Sequence, residues 1–336
     1  MKIGILGAGT WGIALANLLC TSGHDVSVWS ALPEEIEALD HTHIHPKFPD
    51  TVLSDKMKFT VDIQKVCSEN YILVEAVPSV FIRSTTKTIA PYLKNGQIIV
   101  SVAKGIEEST LLTMSEVIAN ELGDIVREKL INIAALSGPT HAEEVIKFMP
   151  TTILSACPDL ETANLIQDVF TNSCMRVYTN PDIKGVELCG ALKNIIALAS
   201  GILGGLGLGD NVKAALITRG LAEIKRLGIR MGCHEQTFYG LAGMGDLIVT
   251  ALSQHSRNYQ AGMLIGSGCD LDTALKKVGM VVESINAIKP AMELSRRYDI
   301  ELPIIASVNS AIFEGVPPQE ALDNLMKRKQ RSELHD

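Results

Sequence analysis

In the first half of the chain, apolar positions come in short bursts rich in β-branched residues: Lys2–Leu6, Asp25–Trp29, Tyr71–Val77, Gln97–Ala103, Ile131–Leu136, Thr152–Ala156 and Met175–Tyr178. Between several of them the apolar residues recur at helical spacing, over Gly12–Cys20, Pro33–Leu39, Phe81–Ala90, Leu111–Leu122 and Leu160–Phe170. Strands alternating with helices in this way predict an α/β fold, a mainly parallel, doubly wound sheet with helices on both faces. Near Gly185 the bursts stop. From there the spacing is helical throughout: Lys184–Ser200, Asn211–Leu227, Asn258–Gly266, Leu271–Val278, Val282–Tyr298, Pro303–Phe313 and Pro318–Lys327. The pattern therefore predicts two domains, a sheet domain over residues 1–187 and an all-α domain over 188–336.

The length supports that division, because 336 residues are many for one hydrophobic core. A hydrophobic share of 46% with 20% charged residues suits a globular protein. The formal net charge of -8 argues against nucleic acid as a partner, since phosphates need basic surface. Lys327, Arg328, Lys329 and Arg331 are expected to be a solvated C-terminal end. Seven cysteines are scattered without a C-x-x-C pair, so reduced thiols are expected rather than a disulfide framework or a zinc site. The N-terminal apolar run is read as the first strand, not as a signal peptide. Lys193, Asn194 and several glycines interrupt the apolar stretch from Ala191 to Leu208, which is therefore not expected to be an integral membrane segment. Together these features predict a cytoplasmic location.

The first strand runs directly into Gly7-x-Gly9-x-x-Gly12, and a helical stretch follows. That context makes the spacing a dinucleotide-binding, Rossmann-type turn. Gly7 allows the tight turn, Gly9 leaves room for a pyrophosphate, and Gly12 lets the helix pack close to the strand. The helix start then offers N–H groups to the phosphates. The second strand ends Trp29-Ser30-Ala31, without the acid that usually holds the ribose 2′-hydroxyl of NAD and without an arginine for the 2′-phosphate of NADP. Ser30 can hydrogen-bond to either, so NADH and NADPH both stay open. Lys104 follows an apolar strand beside a glycine, where it meets an anion or is an ordinary loop lysine.

His41, His43 and His45 share one face if the segment is extended, but Pro46 and Pro49 follow and no further ligands accompany them. A polar loop is expected there rather than a metal site. In the helical half, Lys193 sits within an otherwise apolar helix, so it either reaches solvent or is buried with altered proton affinity. Asp246 ends a glycine-rich turn, where it caps the next helix or orients an ammonium. Ser256, Arg257 and Asn258 group a hydroxyl, a guanidinium and an amide at a helix start, a good receptor for phosphate. Gly204–Asn211 reads as a flexible loop.

With these motifs in hand, the chain resembles the NAD(P)-dependent glycerol-3-phosphate dehydrogenases of the bacterial soluble type. The matching segments are Gly7–Gly12, Val77–Ser79, Lys104-Gly105, Ser137–Thr140, Leu192–Asn194, Gly209–Asn211, Ile217–Glu223, Gly243–Leu247, Ser256–Asn258 and Val281–Glu283, in one collinear order. The resemblance implies reduction of dihydroxyacetone phosphate to sn-glycerol 3-phosphate, feeding glycerophospholipid synthesis. It implies Lys193 as the catalytic proton donor and acceptor. It places Lys104, Gly138, Thr140, Lys193, Asp246, Ser256, Arg257 and Asn258 at the substrate. It places Gly7, Gly9, Thr10, Trp11, Gly12, Lys104, Ala142, Arg257, Val281 and Glu283 at the cofactor. Ser30 is added from the strand-end reading, because the chain departs from the family pattern at Ser30-Ala31, where many relatives carry Arg or His. NADPH is the preference that it implies, and a homodimer the assembly. Two other readings remain at this stage. One is a dehydrogenase for an unphosphorylated hydroxyacid, which has no need of the Ser256–Asn258 receptor. The other is a redox sensor, which has no need of Lys193 and Asp246.

Overall fold

The computed structural model describes residues 1–330 and 332–333. Arg331, from the basic C-terminal cluster, lies outside the described residues. Lys327, Arg328 and Lys329 are exposed, and Arg328 pairs with Glu301 at 2.9 Å.

The apolar bursts form strands because each is short, β-branched and flanked by turns. Among the described residues the seven bursts become β1 (Lys2–Leu6), β2 (Asp25–Trp29), β4 (Ile72–Glu75), β5 (Ile98–Ser101), β6 (Asn132–Ser137), β7 (Thr151–Ala156) and β8 (Met175–Asn180), and a short strand that the pattern does not predict, β3 (Lys58–Thr60), is added. They make one sheet in the order β3-β2-β1-β4-β5-β6-β7-β8. Every pairing is parallel except β6 with β7. Ile3, Ile5 and Leu6 of β1 are fully buried, as a strand covered on both faces requires. The chain runs outward from β1 to β3, then returns to β4 on the other side of β1. The order thus reverses at β1, and a ligand crevice is expected beyond its C-terminal end.

Two compact units result: Met1–Lys104 with Met114–Ile183, and Gly105–Thr113 with Lys184–Asp336. The division falls slightly before residue 187. The short segment 105–113 joins the helical unit, something that a single cut in the sequence does not express.

In the helical unit, Ile183–Gly205 is a helix of 23 residues. It is long and apolar enough to cross a membrane, but the qualifying window is 100% buried inside the protein, as befits a core helix. Its C-terminal half packs against the helix Arg257–Gly266 through a seam of glycines. A methyl group on Gly201 would lie 2.1 Å from the Tyr259 carbonyl oxygen, and one on Gly205 would lie 2.3 Å from that of Met263. From the other side, a methyl on Gly262 would lie 2.1 Å from the Leu198 carbonyl oxygen, and one on Gly266 would lie 2.2 Å from that of Ile202. Only glycine permits backbones this close.

The expected elements differ from the observed ones mainly where the chain is short or glycine-rich. The edge strand Lys58–Thr60 and the helices Ile63–Glu69, Ile125–Glu128, Ala142–Val145 and Glu235–Tyr239 carry too few residues to show a period. The expected flexible loop Gly204–Asn211 shrinks to residues 206–209, because Gly204 and Gly205 end one helix and Asp210 starts the next. The histidine segment is not a loop throughout. His41 lies in the last turn of the helix Pro33–Thr42, His43 is its left-handed cap, and His45 is only 5% exposed. No cluster of three or more metal-ligating side chains occurs among the described residues.

Candidate active site

At the end of β1 the chain must turn sharply to start the helix Thr10–Thr21. Gly7 does so at φ +124°, where a Cβ would lie 2.8 Å from the Ala76 carbonyl oxygen. A Cβ on Gly12 would lie 2.1 Å from the Gly7 carbonyl oxygen, so the helix can sit this close to the strand only with glycine there. Gly9 is different: a Cβ there would meet nothing within 4 Å, so it would project into open space. Gly9 is also the helix N-cap, and no side chain caps the first turn. An open space in front of an uncapped helix start fits a pyrophosphate. Thr10 and Trp11 are half-buried at this start.

Of the other predicted residues of the sheet unit, Lys104, Gly138 and Thr140 come together. Lys104 Nζ donates to the Gly138 carbonyl oxygen at 3.2 Å, and Thr140 Oγ1 donates to the same oxygen at 3.2 Å. The two predicted substrate residues thus share one acceptor. Ser30, buried at the end of β2, donates its hydroxyl to Glu35 Oε2 at 2.5 Å. Ala142 is buried at the start of the helix Ala142–Val145.

In the helical unit, Lys193 does not reach solvent. It is 4% exposed, and its Nζ donates to Asp246 Oδ1 at 2.6 Å and also to Thr250 Oγ1. Asp246, 1% exposed, opens the helix Asp246–Leu252 without capping it, so of its two readings the structure has the one that orients an ammonium. Thr250 is absent from the expectations. Its signal was the spacing: residues 246 and 250 lie four apart and share one helical face. The Thr250 hydroxyl donates back to the Asp246 carbonyl oxygen at 2.6 Å, which leaves its lone pairs to the ammonium. A buried ammonium is tolerable only with partners of this kind.

The next residue, Asn194, accepts from Asn258 Nδ2 at 3.0 Å, and Asn258 Oδ1 accepts from Ser284 N–H at 3.0 Å. The glycine seam allows this contact by drawing the two helices together. Ser256 caps the helix Arg257–Gly266, accepting from Tyr259 N–H at 3.2 Å. Arg257 donates to the Val281 carbonyl oxygen at 3.1 Å, which links it to the Val281–Glu283 segment. Lys193, Asn194, Asp246, Thr250, Arg257 and Asn258 therefore belong to one set of packed helices. This unit supplies a held ammonium and a guanidinium near a helix start. Such groups can give a proton to an oxygen that gains charge and bind an anion.

Residues 2–163 match the family model for the NAD-dependent glycerol-3-phosphate dehydrogenase N-terminus, and residues 182–323 match that for its C-terminus. A glycerol-3-phosphate dehydrogenase (NAD(P)+) 2 of Lactobacillus delbrueckii subsp. bulgaricus is 57% identical, over 99% of each chain. The glycerol-3-phosphate dehydrogenase (NAD(P)+) of Bacillus subtilis is 45% identical, over 100% of this chain and 96% of its own. A crystal structure of the glycerol-3-phosphate dehydrogenase from Coxiella burnetii superposes with a TM-score of 0.92 at 33% identity, covering 97% of this chain and 99% of that one. The chain belongs to the NAD-dependent glycerol-3-phosphate dehydrogenase family.

Proposed function

We propose that this chain interconverts dihydroxyacetone phosphate and sn-glycerol 3-phosphate, with NADH or NADPH as redox partner, and that it supplies glycerophospholipid synthesis. The observation that carries the reading is the buried Lys193 ammonium, held between Asp246 and Thr250. The residues of the glycine turn, Gly7, Gly9, Thr10, Trp11 and Gly12, are assigned to the dinucleotide. When bound, its reduced nicotinamide supplies a hydride to the C2 carbonyl carbon of the ketone. Lys193 gives its proton to the carbonyl oxygen as negative charge builds there, and the hydroxyl of the product forms. In the opposite direction the neutral amine takes that proton back. Asp246 keeps the ammonium aimed and balances its charge. Arg257, fixed at one end by Val281, is assigned to the substrate phosphate, with Ser256 and Asn258 beside it. Binding energy at the phosphate then orients the carbonyl, which does not itself bind strongly. Lys104, Gly138 and Thr140 are assigned to the substrate and Ala142, Val281 and Glu283 to the cofactor, on the strength of the family. A cytoplasmic homodimer is part of the same reading.

The test is replacement of Lys193 by Ala. The turnover number is expected to fall by about two to four orders of magnitude, the usual worth of a positioned acid. Small primary amines added to the variant are expected to restore part of the rate. Circular dichroism and dinucleotide binding check that the variant is folded. Near-normal turnover in a folded variant would refute the role of Lys193. Arg257→Ala is expected chiefly to raise KM for the phosphorylated ketone, and an unchanged KM would remove its phosphate role.

A further inference from the structure

The pyrophosphate turn and the end of β2 share one corner of the sheet unit. Gly7 N–H donates to the Trp29 carbonyl oxygen at 2.8 Å, so Ser30 lies beside the turn. At this strand end a dinucleotide presents its adenosine ribose. An acid there accepts from the 2′-hydroxyl of NADH, and a cation accommodates the 2′-phosphate of NADPH. The residue at the position itself, Ser30, is neither. Its hydroxyl is nevertheless committed: it accepts from Leu32 N–H at 3.2 Å and donates to Glu35 Oε2 at 2.5 Å. A carboxylate from the first turn of the helix Pro33–Thr42 is thereby pinned at the strand end.

A buried histidine, His45, lies within electrostatic reach of Glu35. His45 Nδ1 accepts from Lys47 N–H at 3.1 Å, so the ring carries its proton on Nε2. The ring lies close to the backbone of Ala8, inside the glycine turn, and within the field of Glu35. Burial holds the His45 pKa below its usual value, against the opposing pull of Glu35. The neutral ring can therefore pack beside the turn without adding a cation there. The charge of the neighbouring chain points the same way. From Ser30 to Asp40 there is no lysine or arginine, whereas Glu34, Glu35, Glu37 and Asp40 are all acidic. The positive end of the helix thus faces two glutamates of its own first turn.

We propose that Glu35, held by Ser30, is the specificity-determining acid of the adenosine site, and that it selects NADH over NADPH. The ribose hydroxyls of NADH can donate to its carboxylate. A 2′-phosphate, with a charge of roughly −1.5 to −2, would be set against Glu35 and Glu34 with no cation from this segment. The proposal rests on the oxidoreductase reading above and departs from the NADPH preference that the family resemblance implies.

The experiment is calorimetric titration of the full-length protein with NADH and with NADPH, alongside kcat/KM for each with dihydroxyacetone phosphate. NADH is expected to bind at least about tenfold more tightly, as hydrogen bonds to a charged acceptor and their loss imply. Glu35→Gln is expected to shrink the ratio while the melting temperature holds. Ser30→Ala is expected to move it in the same direction. Adding Ala31→Arg to Glu35→Gln is expected to invert it. Equal or tighter binding of NADPH by the wild type would overturn the proposal, as would an unchanged ratio in folded Glu35→Gln. If neither dinucleotide binds the wild type, the oxidoreductase reading itself fails, a result distinct from tight but unselective binding.

Discussion

Single residues in this protein show how burial sets proton affinity. Glu75 ends β4 fully buried, and desolvation pushes its pKa from 4.5 up to about 8, partly offset by the Thr86 hydroxyl at 3.1 and 3.3 Å. An acid whose pKa is higher in the folded than in the unfolded state stabilises the fold through its neutral form. That contribution is fully present below about pH 4.5 and is lost as pH rises through about 8. Glu223 behaves alike: burial pushes it up to about 7, although it accepts from Ile304 N–H at 2.7 Å and Ile305 N–H at 3.3 Å. Glu75→Gln keeps the shape and removes the ionisation. Thermal melts between pH 6 and 9 should show a flatter decline for this variant than for the wild type, and parallel curves would contradict the assignment. At the candidate site, Thr250→Val deletes one partner of Lys193. A hydrogen bond to a charged donor is worth about 1.5–3 kcal/mol, so kcat is expected to fall by about ten- to a hundredfold. Steady-state kinetics with an unchanged kcat would show that Asp246 alone positions the ammonium.

At the scale of elements, glycines decide how closely backbones approach. Gly9 and Gly12 make an internal comparison. Gly9→Ala adds a methyl group in open space, so the fold should persist while dinucleotide affinity drops, a result that melting and titration separate. Gly12→Ala sets a methyl group 2.1 Å from the Gly7 carbonyl oxygen, so it should cost stability itself, on the order of 1–3 kcal/mol or more. Stable Gly12→Ala with wild-type affinity would show that the helix has room to retreat. The seam between Ile183–Gly205 and Arg257–Gly266 follows the same logic. Gly201→Ala should push these helices apart and thereby loosen the Asn194–Asn258 contact, several residues away. Chemical denaturation and turnover should both register it.

For the whole molecule, two units with different cores divide the chemistry. The sheet unit carries the glycine turn at the point where strand order reverses. The helical unit carries the buried ammonium and the guanidinium, separated by more than fifty positions in sequence and united by helix packing. A chain so equipped should depend on the phosphate of its substrate. The value of kcat/KM for dihydroxyacetone phosphate is expected to exceed that for dihydroxyacetone by about three orders of magnitude, with part of the loss in kcat. Equal efficiency, or better activity on an unphosphorylated 2-oxo acid, would favour the competing hydroxyacid reading.

Sequence by itself determined the periodic elements and the local chemistry. The burst-and-helix pattern specifies the parallel sheet and the long helices, because buried strands and packed helices require apolar residues at those spacings. The Gly7-x-Gly9-x-x-Gly12 turn is equally local, since each glycine answers a constraint within its own strand–helix corner. Contacts across the fold decided the rest. The two readings of Lys193, solvent-reaching or buried, have the same sequence; only packing against Asp246–Leu252 selects the second. Thr250 becomes a partner of that lysine for the same reason. At the end of β2 the sequence shows Ser30 without an acid, and only the first turn of the following helix brings Glu35 back to it. A hydrogen bond depends on where a side chain ends, and for these residues that position is set by packing between elements, which spacing along one element does not encode.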